Sequence, residues 1–139
     1  HTEYLKELID KGKIELKDSD VKKRVTYHDS CYLGRYNDIF DEPRESLSKI
    51  GGIEMLEMDR NRDKGFCCGA GGGRMFLEET EGTRINENRV KEALNTGADT
   101  IAAACPFCMT MLTDGVKTFE KEESVEVKDI AEIIFENTK

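Results

Sequence analysis

No stretch of the chain is apolar for long enough to cross a membrane. A transmembrane helix needs about 20 consecutive apolar residues, and charged residues make up 36% of these 139 residues. The first ten residues, HTEYLKELID, also lack the basic and apolar regions of a secretion signal. We therefore expect a cytoplasmic protein that does not insert into the bilayer itself, with any membrane association provided by partner subunits or by the full-length protein.

Basic residues are too few for a protein that binds nucleic acid. The chain has 21 Lys and Arg against 29 Asp and Glu, which gives a net charge of −8. Nucleic-acid phosphates require a basic face, and the only basic cluster is VKKR at residues 21–24. This balance excludes nucleic acid as the expected partner.

The chain shows no internal repeat and no low-complexity segment, and its 139 residues suit one domain. It does not begin with Met. We expect residues 1–20 to be an N-terminal helix and linker that belong to a preceding segment. Residues 21–139 are then a single domain of a larger protein.

Strand-like and helix-like segments alternate along the sequence. The predicted strands span residues 24–28, 53–58, 100–104 and 125–128. The predicted helices span residues 2–12, 42–52, 83–97, 106–119 and 129–137, with Thr2, Thr83 and Asp129 as N-caps. Such alternation predicts an α/β, Rossmann- or flavodoxin-like fold, in which helices flank a small, parallel, four-stranded sheet. We expect the strand order 2-1-3-4, which creates a switch point where ligands bind.

The five cysteines all follow the ends of predicted strands, with the spacing C-x35-CC-x36-C-x-x-C. An odd number of cysteines and the lack of a secretion signal argue against disulfide bridges. Because the carboxyl ends of parallel strands share one edge of a sheet, we expect the thiols to meet there. Thiolates bind soft metals and iron–sulfur clusters. The candidate ligands are Cys31, Cys67, Cys68, Cys105 and Cys108.

Two of these cysteines form a C-x-x-C pair at a strand-to-helix junction. Cys105 falls at the expected N-cap and Cys108 one turn later, where free amides and the helix dipole favour thiolates. The same pair is typical of a metal-free dithiol redox protein, although that interpretation leaves three cysteines unexplained. His28 and Cys31 suggest a Cys–His nucleophile. They lie across a strand end, which favours a structural or supporting role for His28.

The glycine-rich segment GAGGGRMF, residues 69–76, matches neither nucleotide fingerprint. Arg74 takes the place of the third glycine in G-x-G-x-x-G, and no G-K-[ST] follows. Glycine also lets the backbone approach a ligand closely and present its N–H groups. We expect a cofactor-binding loop in which Arg74 either adds a positive charge or forms a surface ion pair. The loop glycines are Gly69, Gly71, Gly72 and Gly73.

The three cysteine segments together resemble one known family. YHDSCYLGR, GFCCGAGGGRMF and AAACPFCMTML, at these distances, are similar to the CCG cysteine-rich domain. That domain occurs in the B-type and D-type components of heterodisulfide reductase and in the iron–sulfur components of glycolate and lactate oxidases. The resemblance runs from Val25 to Asp114. It implies that the five cysteines hold a [4Fe–4S] cluster, of the noncubane type in part of the family.

The resemblance also implies a role within a larger assembly. Its members are parts of multidomain iron–sulfur and flavin oxidoreductases, in which electrons pass toward a disulfide or a quinone. The implied function is electron transfer as one part of an oxidoreductase, so the isolated domain need not turn over a substrate. The residues leave two alternatives open: a zinc-binding structural or assembly module, and a metal-free dithiol protein. Five thiolates exceed zinc's usual four ligands, which favours the cluster.

Overall fold

Four short strands form one all-parallel sheet in the computed structural model, which describes residues 1–19 and 21–139. Asp20, at the predicted boundary between the N-terminal segment and the domain, lies outside the described residues. The strand order is β2-β1-β3-β4, so the predicted parallel sheet and its order are confirmed. The strands are β1 (Lys23–Tyr27), β2 (Ile53–Leu56), β3 (Thr100–Ala103) and β4 (Glu126–Asp129).

The described residues form six α-helices and two 3₁₀ turns. Five of the helices match predicted segments, with ends shifted by up to four residues. The short helix after β1 and both 3₁₀ turns, Arg62–Lys64 and Gly71–Phe76, were not predicted. The helices are α1 (Thr2–Asp10), α2 (Gly34–Asn37), α3 (Asp41–Ser48), α4 (Ile85–Asn95), α5 (Pro106–Thr118) and α6 (Ile130–Glu136).

Each face of the sheet buries its own core. Successive strand residues point to opposite faces, and β3 shows the alternation clearly. Ile101 and Ala103 pack in the cluster that contains Val90 of α4 and Leu112 of α5. Ala102 packs in the other cluster, with Leu47 of α3 and Ile130, Ile133 and Ile134 of α6. Helices therefore cover both faces, which is why the strands can be apolar on both sides.

The N-terminal segment packs against the second of these clusters. Leu5 and Ile9 of α1 contact it. Beyond the helix, Leu16 pairs with Thr138 in an isolated antiparallel bridge. The amide of Lys139 donates to the carbonyl of Glu15 at 2.9 Å. Residues near the two ends of the chain thus lie side by side.

Helix caps show where local patterns succeed and fail. Asp129 caps α6 as predicted: its carboxylate accepts from Ala131 N at 2.9 Å, and the Glu132 carboxylate accepts from the Asp129 amide. The Thr2 and Thr83 caps were wrong. Thr2 lies inside α1, and Arg84 is the N-cap of α4. One of the free amides at the start of α4, that of Ile85, donates to the side chain of Glu79, six residues earlier.

Length and composition limit what the helices can do in a bilayer. Within residues 1–19 and 21–139, no helix combines the length and the apolar character that a membrane span requires.

Asp129→Ala should destabilise the fold by about 1 kcal/mol, because it removes the acceptor for the first free amides of α6. Urea unfolding of the reduced protein, followed by circular dichroism, measures this loss. Asp129→Asn is the matched control, since asparagine is an equally good N-cap. An equal loss in both variants would show that the cap does not stabilise α6.

Candidate metal centre

All five cysteines line one cavity of about 700 Å³ at the carboxyl edge of the sheet. They arrive from three directions: the turn after β1, the loop after β2 and the junction between β3 and α5. None forms a disulfide, and their exposure differs. Cys31 is exposed, Cys67 and Cys105 are half-buried, and Cys68 and Cys108 are buried. The structure therefore places the five thiols around one cavity, and two of them, Cys68 and Cys108, belong to a group of ligand atoms within 4.8 Å of one another.

An ion pair fixes the turn that carries Cys31. Asp29 is buried just beyond β1, and Arg44 of α3 donates to both its carboxylate oxygens, at 2.7 and 2.8 Å. The amide of Arg62 adds a third bond at 2.7 Å. Burial alone would raise the pKa of Asp29, but these donors hold it below its ordinary value. An ionised Asp29 thus ties α3 and the 62–64 turn to the end of β1.

The adjacent pair Cys67 and Cys68 sits in a loop held by a second set of charges. The guanidinium of Arg60 lies 3.8 Å from the centre of the Phe66 ring, a cation–π contact. The backbone amide of the same arginine donates to Glu92 of α4 at 2.6 Å. These two contacts hold the segment that leads into Cys67 and Cys68.

Gly69 makes the turn immediately after the cysteine pair. Its φ is +91°, a value that side chains disfavour, and an added Cβ would lie 3.1 Å from the Ile85 Cβ and 3.3 Å from the Asn86 amide nitrogen. Its own amide donates to the Cys67 sulfur at 3.3 Å. The glycine therefore both permits close packing against α4 and supplies an N–H to a thiol.

Neighbouring thiols raise the pKa of two of the cysteines. Hydrogen bonding to Cys68, followed by burial, raises the pKa of Cys67 far above its ordinary value. The hydrogen bond between Cys68 and Cys108 is the main cause that raises the pKa of Cys68 to about 11. Metal binding requires thiolates, so loading this site must release protons.

The C-x-x-C pair has the predicted geometry. Cys105 is the N-cap of α5 with extended backbone angles, and Pro106 occupies the first helical position. Proline suits that position because its missing N–H would have no partner there. Cys108 is one turn later and only 2% exposed. The 13-residue helix thus directs its N-terminal end toward the thiols.

His28 lies beside the buried sulfurs. One of its ring nitrogens and the sulfurs of Cys68 and Cys108 all lie within 4.8 Å of one another. Nδ1 accepts a hydrogen bond from Nε of Arg89 at 3.0 Å. Burial, assisted by the Arg89 charge, lowers the pKa of His28 to about 3. The imidazole is therefore neutral.

Sequence reasoning did not identify Arg89, the residue that donates to His28. Its side chain is fully buried, although arginine is almost never fully buried unless it is paired. The available indication was its position in α4, where Asn86, Val90 and Ala93 form the buried face. An arginine within that apolar stripe calls for a buried partner, but sequence periodicity does not show that the partner is His28.

The predicted glycine loop divides between two cavities. Gly71, Gly72 and Gly73 line the cavity that contains the cysteines. Gly69 and Arg74 line a second, small cavity near the start of α4. Arg74 forms an exposed ion pair with Glu79. This is the second of the two roles expected for Arg74, the surface ion pair.

Polar groups around the thiols suit a negatively charged occupant. The Ser30 hydroxyl lines the main cavity, is buried, and has no hydrogen-bond partner among the described residues. Five thiols, an unpartnered hydroxyl and the Gly69 amide make a set of sulfur ligands with hydrogen-bond donors around it. This donor set fits a thiolate-bound metal group.

Gly69→Ala should destabilise the metal-free protein by at least about 1–2 kcal/mol. The alanine must adopt a left-handed backbone conformation, and its Cβ also meets α4. Gly71→Ala is the control, because a Cβ there meets nothing within 4 Å. Urea unfolding of both variants measures the difference. Equal stabilities would contradict the tight turn at Gly69.

The cysteines should react with iodoacetamide in the order of their exposure. In the reduced, metal-free protein, we expect Cys31 to be alkylated first and the buried Cys68 and Cys108 last. The raised pKa of Cys68 slows it further, because the thiolate is the reactive form. Timed quenching and peptide mass spectrometry give the order. Early labelling of Cys68 would contradict the buried geometry.

Comparison with known proteins identifies relatives over almost the whole chain. FadF of Bacillus subtilis, named as a probable iron-sulfur-binding oxidoreductase, is 47% identical over 96% of this chain and 19% of its own length. The EtfAB:quinone oxidoreductase of Syntrophomonas wolfei is 43% identical over 97% of this chain and 20% of its own. The D-type component of the dihydromethanophenazine:CoB–CoM heterodisulfide reductase of Methanosarcina acetivorans is 43% identical over 96% of this chain and 32% of its own.

The chain thus spans between about a fifth and a third of the length of these relatives. The profile of the CCG cysteine-rich domain matches residues 25–113, close to the limits that the three cysteine segments predict. This match contains every cysteine and more than half of the chain. The chain belongs to the CCG cysteine-rich domain family.

Proposed function

We propose that this chain is an iron–sulfur-binding domain that carries electrons within a larger oxidoreductase. The observation that carries the proposal is the convergence of five thiols from three strand ends on one cavity. A bound iron–sulfur cluster would supply one-electron redox chemistry that side chains lack. Its proposed ligands are Cys31, Cys67, Cys68, Cys105 and Cys108.

The number of thiols and the size of the cavity favour a cluster over a single ion. Structural zinc takes four ligands, and a regular [4Fe–4S] cluster is held by four cysteines. Five thiols exceed both ligand counts, and the cavity that they line, about 700 Å³, has room for a group larger than a single ion. We therefore propose a noncubane [4Fe–4S] cluster as the specific occupant, as the family resemblance implies.

The chain's own groups have identifiable roles around the thiolates. The Gly69 amide donates to the Cys67 sulfur, and the N-terminal end of α5 faces the site at Cys105. Both offset the negative charge that accumulates when several thiols lose their protons. Gly71, Gly72 and Gly73 are proposed to form the cavity wall nearest the cofactor. For Arg74, the ion pair with Glu79 supports a role in holding this loop.

The relatives support a place within a longer polypeptide or complex. Their names include an EtfAB:quinone oxidoreductase and one component of a heterodisulfide reductase, and this chain covers a minor part of each. We propose that residues 21–139 form one domain of such a protein, joined through residues 1–20 to a preceding segment. Its acceptor would be a disulfide or a quinone, and its partners would be other iron–sulfur or flavin domains.

The proposed location is the cytoplasm, with attachment to the membrane through other parts of the protein or through partners. A relative from Chromohalobacter salexigens, 38% identical over 96% of this chain, is named as a probable membrane-anchored ferredoxin. Only 20% of that relative is covered by the match, so most of its length lies outside the region shared with this chain. That extra length supports an anchor outside the CCG domain.

Cys67→Ser and Cys105→Ser should each lose most of the bound iron, because each removes a thiolate from a different wall of the site. Anaerobic reconstitution with iron and sulfide, followed by metal analysis and EPR, measures the loss. Ser124→Ala is the control: Ser124 is exposed and precedes β4, so it lies at the opposite edge of the sheet. It should retain wild-type iron.

Three results would overturn the proposal. Unchanged iron and EPR spectra in both cysteine variants would exclude these ligands. One zinc per chain after anaerobic purification, with no visible absorption, would indicate the structural zinc module. The dithiol alternative would be indicated if the protein takes up no iron or sulfide and Cys105 and Cys108 cycle between dithiol and disulfide.

A further inference from the structure

His28 occupies a position that resembles a metal ligand. A ring nitrogen and the sulfurs of Cys68 and Cys108 lie within 4.8 Å of one another, and all three side chains are buried. Imidazole binds metals through an unprotonated nitrogen and donates hydrogen bonds through a protonated one. The role of His28 therefore depends on which of its nitrogens carries the proton.

The hydrogen bond from Arg89 decides the position of that proton. Nε of Arg89 donates to Nδ1 at 3.0 Å. A guanidinium has only donors and stays protonated in proteins, so Nδ1 must use its lone pair to accept. The proton of the neutral ring then lies on Nε2. The Nδ1 lone pair accepts this hydrogen bond and Nε2 carries the proton. The ring therefore has no free lone pair with which to bind a metal.

Arg89 is held in place through its Nε and Nη1, whereas its buried Nη2 has no hydrogen-bond partner among the described residues. Its Nη1 donates to the carbonyl of Arg60 and to the carboxylate of Glu92, both at 2.9 Å. The arginine side chain is fully buried. Turning it away from His28 would break these bonds and leave a buried charge without its partner, a costly change. The tautomer of His28 is thus fixed by a chain of contacts that begins at Glu92.

We propose that His28 is a positioning residue that donates its Nε2–H to sulfur at Cys68 and Cys108, and that Arg89 prevents it from becoming a metal ligand. The role as donor to a metal-bound sulfur rests on the proposed function, whereas the tautomer rests on the metal-free chain alone. The chain of contacts runs from Glu92 through Arg89 and His28 to sulfur. It therefore connects two polar side chains of α4 to the cysteines.

The donor has a direct electrochemical consequence. Reduction adds negative charge to a cluster and its sulfurs, and an N–H that points at sulfur stabilises the reduced form. Removing that N–H should lower the midpoint potential without removing a ligand. Loss of a metal ligand would instead lower the iron content. Measuring both the midpoint potential and the iron content therefore distinguishes a hydrogen-bond donor from a ligand.

Nitrogen NMR tests the tautomer without altering the site. Long-range ¹H–¹⁵N spectra of the reduced, metal-free chain distinguish protonated from unprotonated ring nitrogens. The chain has two histidines, so His1→Gln assigns the remaining signals to His28. We expect an unprotonated Nδ1 and a protonated Nε2, both in the metal-free chain and after loading with zinc. A protonated Nδ1, or an Nε2 that loses its proton when zinc binds, would overturn the proposal.

Potentiometry tests the donor in the iron-loaded protein. His28→Leu removes the N–H and should lower the midpoint potential while iron per chain stays at the wild-type level. His28→Gln retains a side-chain N–H and should recover part of the shift. Arg24→Gln is the control, since Arg24 pairs with Asp99 at the opposite edge of the sheet and should leave the potential unchanged.

Pulsed EPR of the wild-type chain covers the case in which His28→Leu fails to fold. Weak ¹⁴N coupling is expected for a hydrogen-bonded ring, and strong coupling would place the nitrogen on iron and overturn the proposal. Full iron in His28→Leu with an unchanged potential would overturn it while leaving the proposed function intact. If wild-type protein takes up no iron, the proposed function fails, and the NMR result alone then decides the tautomer.

Discussion

The parallel register of β1 with its two neighbours is the constraint on which the site depends. β1 pairs with β2 and β3, so the three segments that carry cysteines leave the sheet at one edge. The pairing extends one residue beyond the strand, because the His28 amide donates to the Ala102 carbonyl at 2.8 Å. Tyr27 packs in the core under α3 and α6, and its successor His28 therefore faces α4, where Arg89 lies. A slip of one residue would exchange these faces and separate the ring from its arginine.

Apolar packing holds the strands of the sheet in place. Beyond the carboxyl edge of the sheet, charged groups hold the cysteine-bearing loops instead. Arg44 with Asp29 holds the turn of Cys31, and Arg60 with Glu92 holds the loop of Cys67 and Cys68. Buried ions are costly unless their hydrogen bonds are satisfied, and the buried Arg44 donates to the carboxylates of Asp29 and Glu57 and to the Phe40 carbonyl. Directional bonds suit loops, because they fix orientation where few apolar atoms are available for packing. The Arg60 carbonyl also accepts a hydrogen bond from Arg89, which in turn donates to His28, so the loop and the histidine are held together.

The sequence alone predicts the features that depend on periodicity and on chain direction. Alternating apolar segments indicate the four strands, and the parallel-edge rule is enough to bring Cys31 and Cys108 to one place. Features that depend on a partner distant in sequence are not predictable in this way. Arg89 and His28 are 61 positions apart, and nothing local to either identifies the other. The Thr83 cap fails for a different reason: Glu79, only six residues before Ile85, satisfies the Ile85 amide, and a capping pattern does not encode the loop geometry between the two residues.

The walls of the cysteine cavity are mostly hydrocarbon and aromatic, with Met75, Phe76 and Phe107 among them. Two of the five sulfurs are buried as well. For a centre that changes its charge by one electron, the wall around the buried Cys68 and Cys108 contains few solvent molecules that must reorient, whereas the side at the exposed Cys31 is open to solvent. The buried wall should therefore contribute little to the reorganisation energy, and the solvent on the open side should supply most of it.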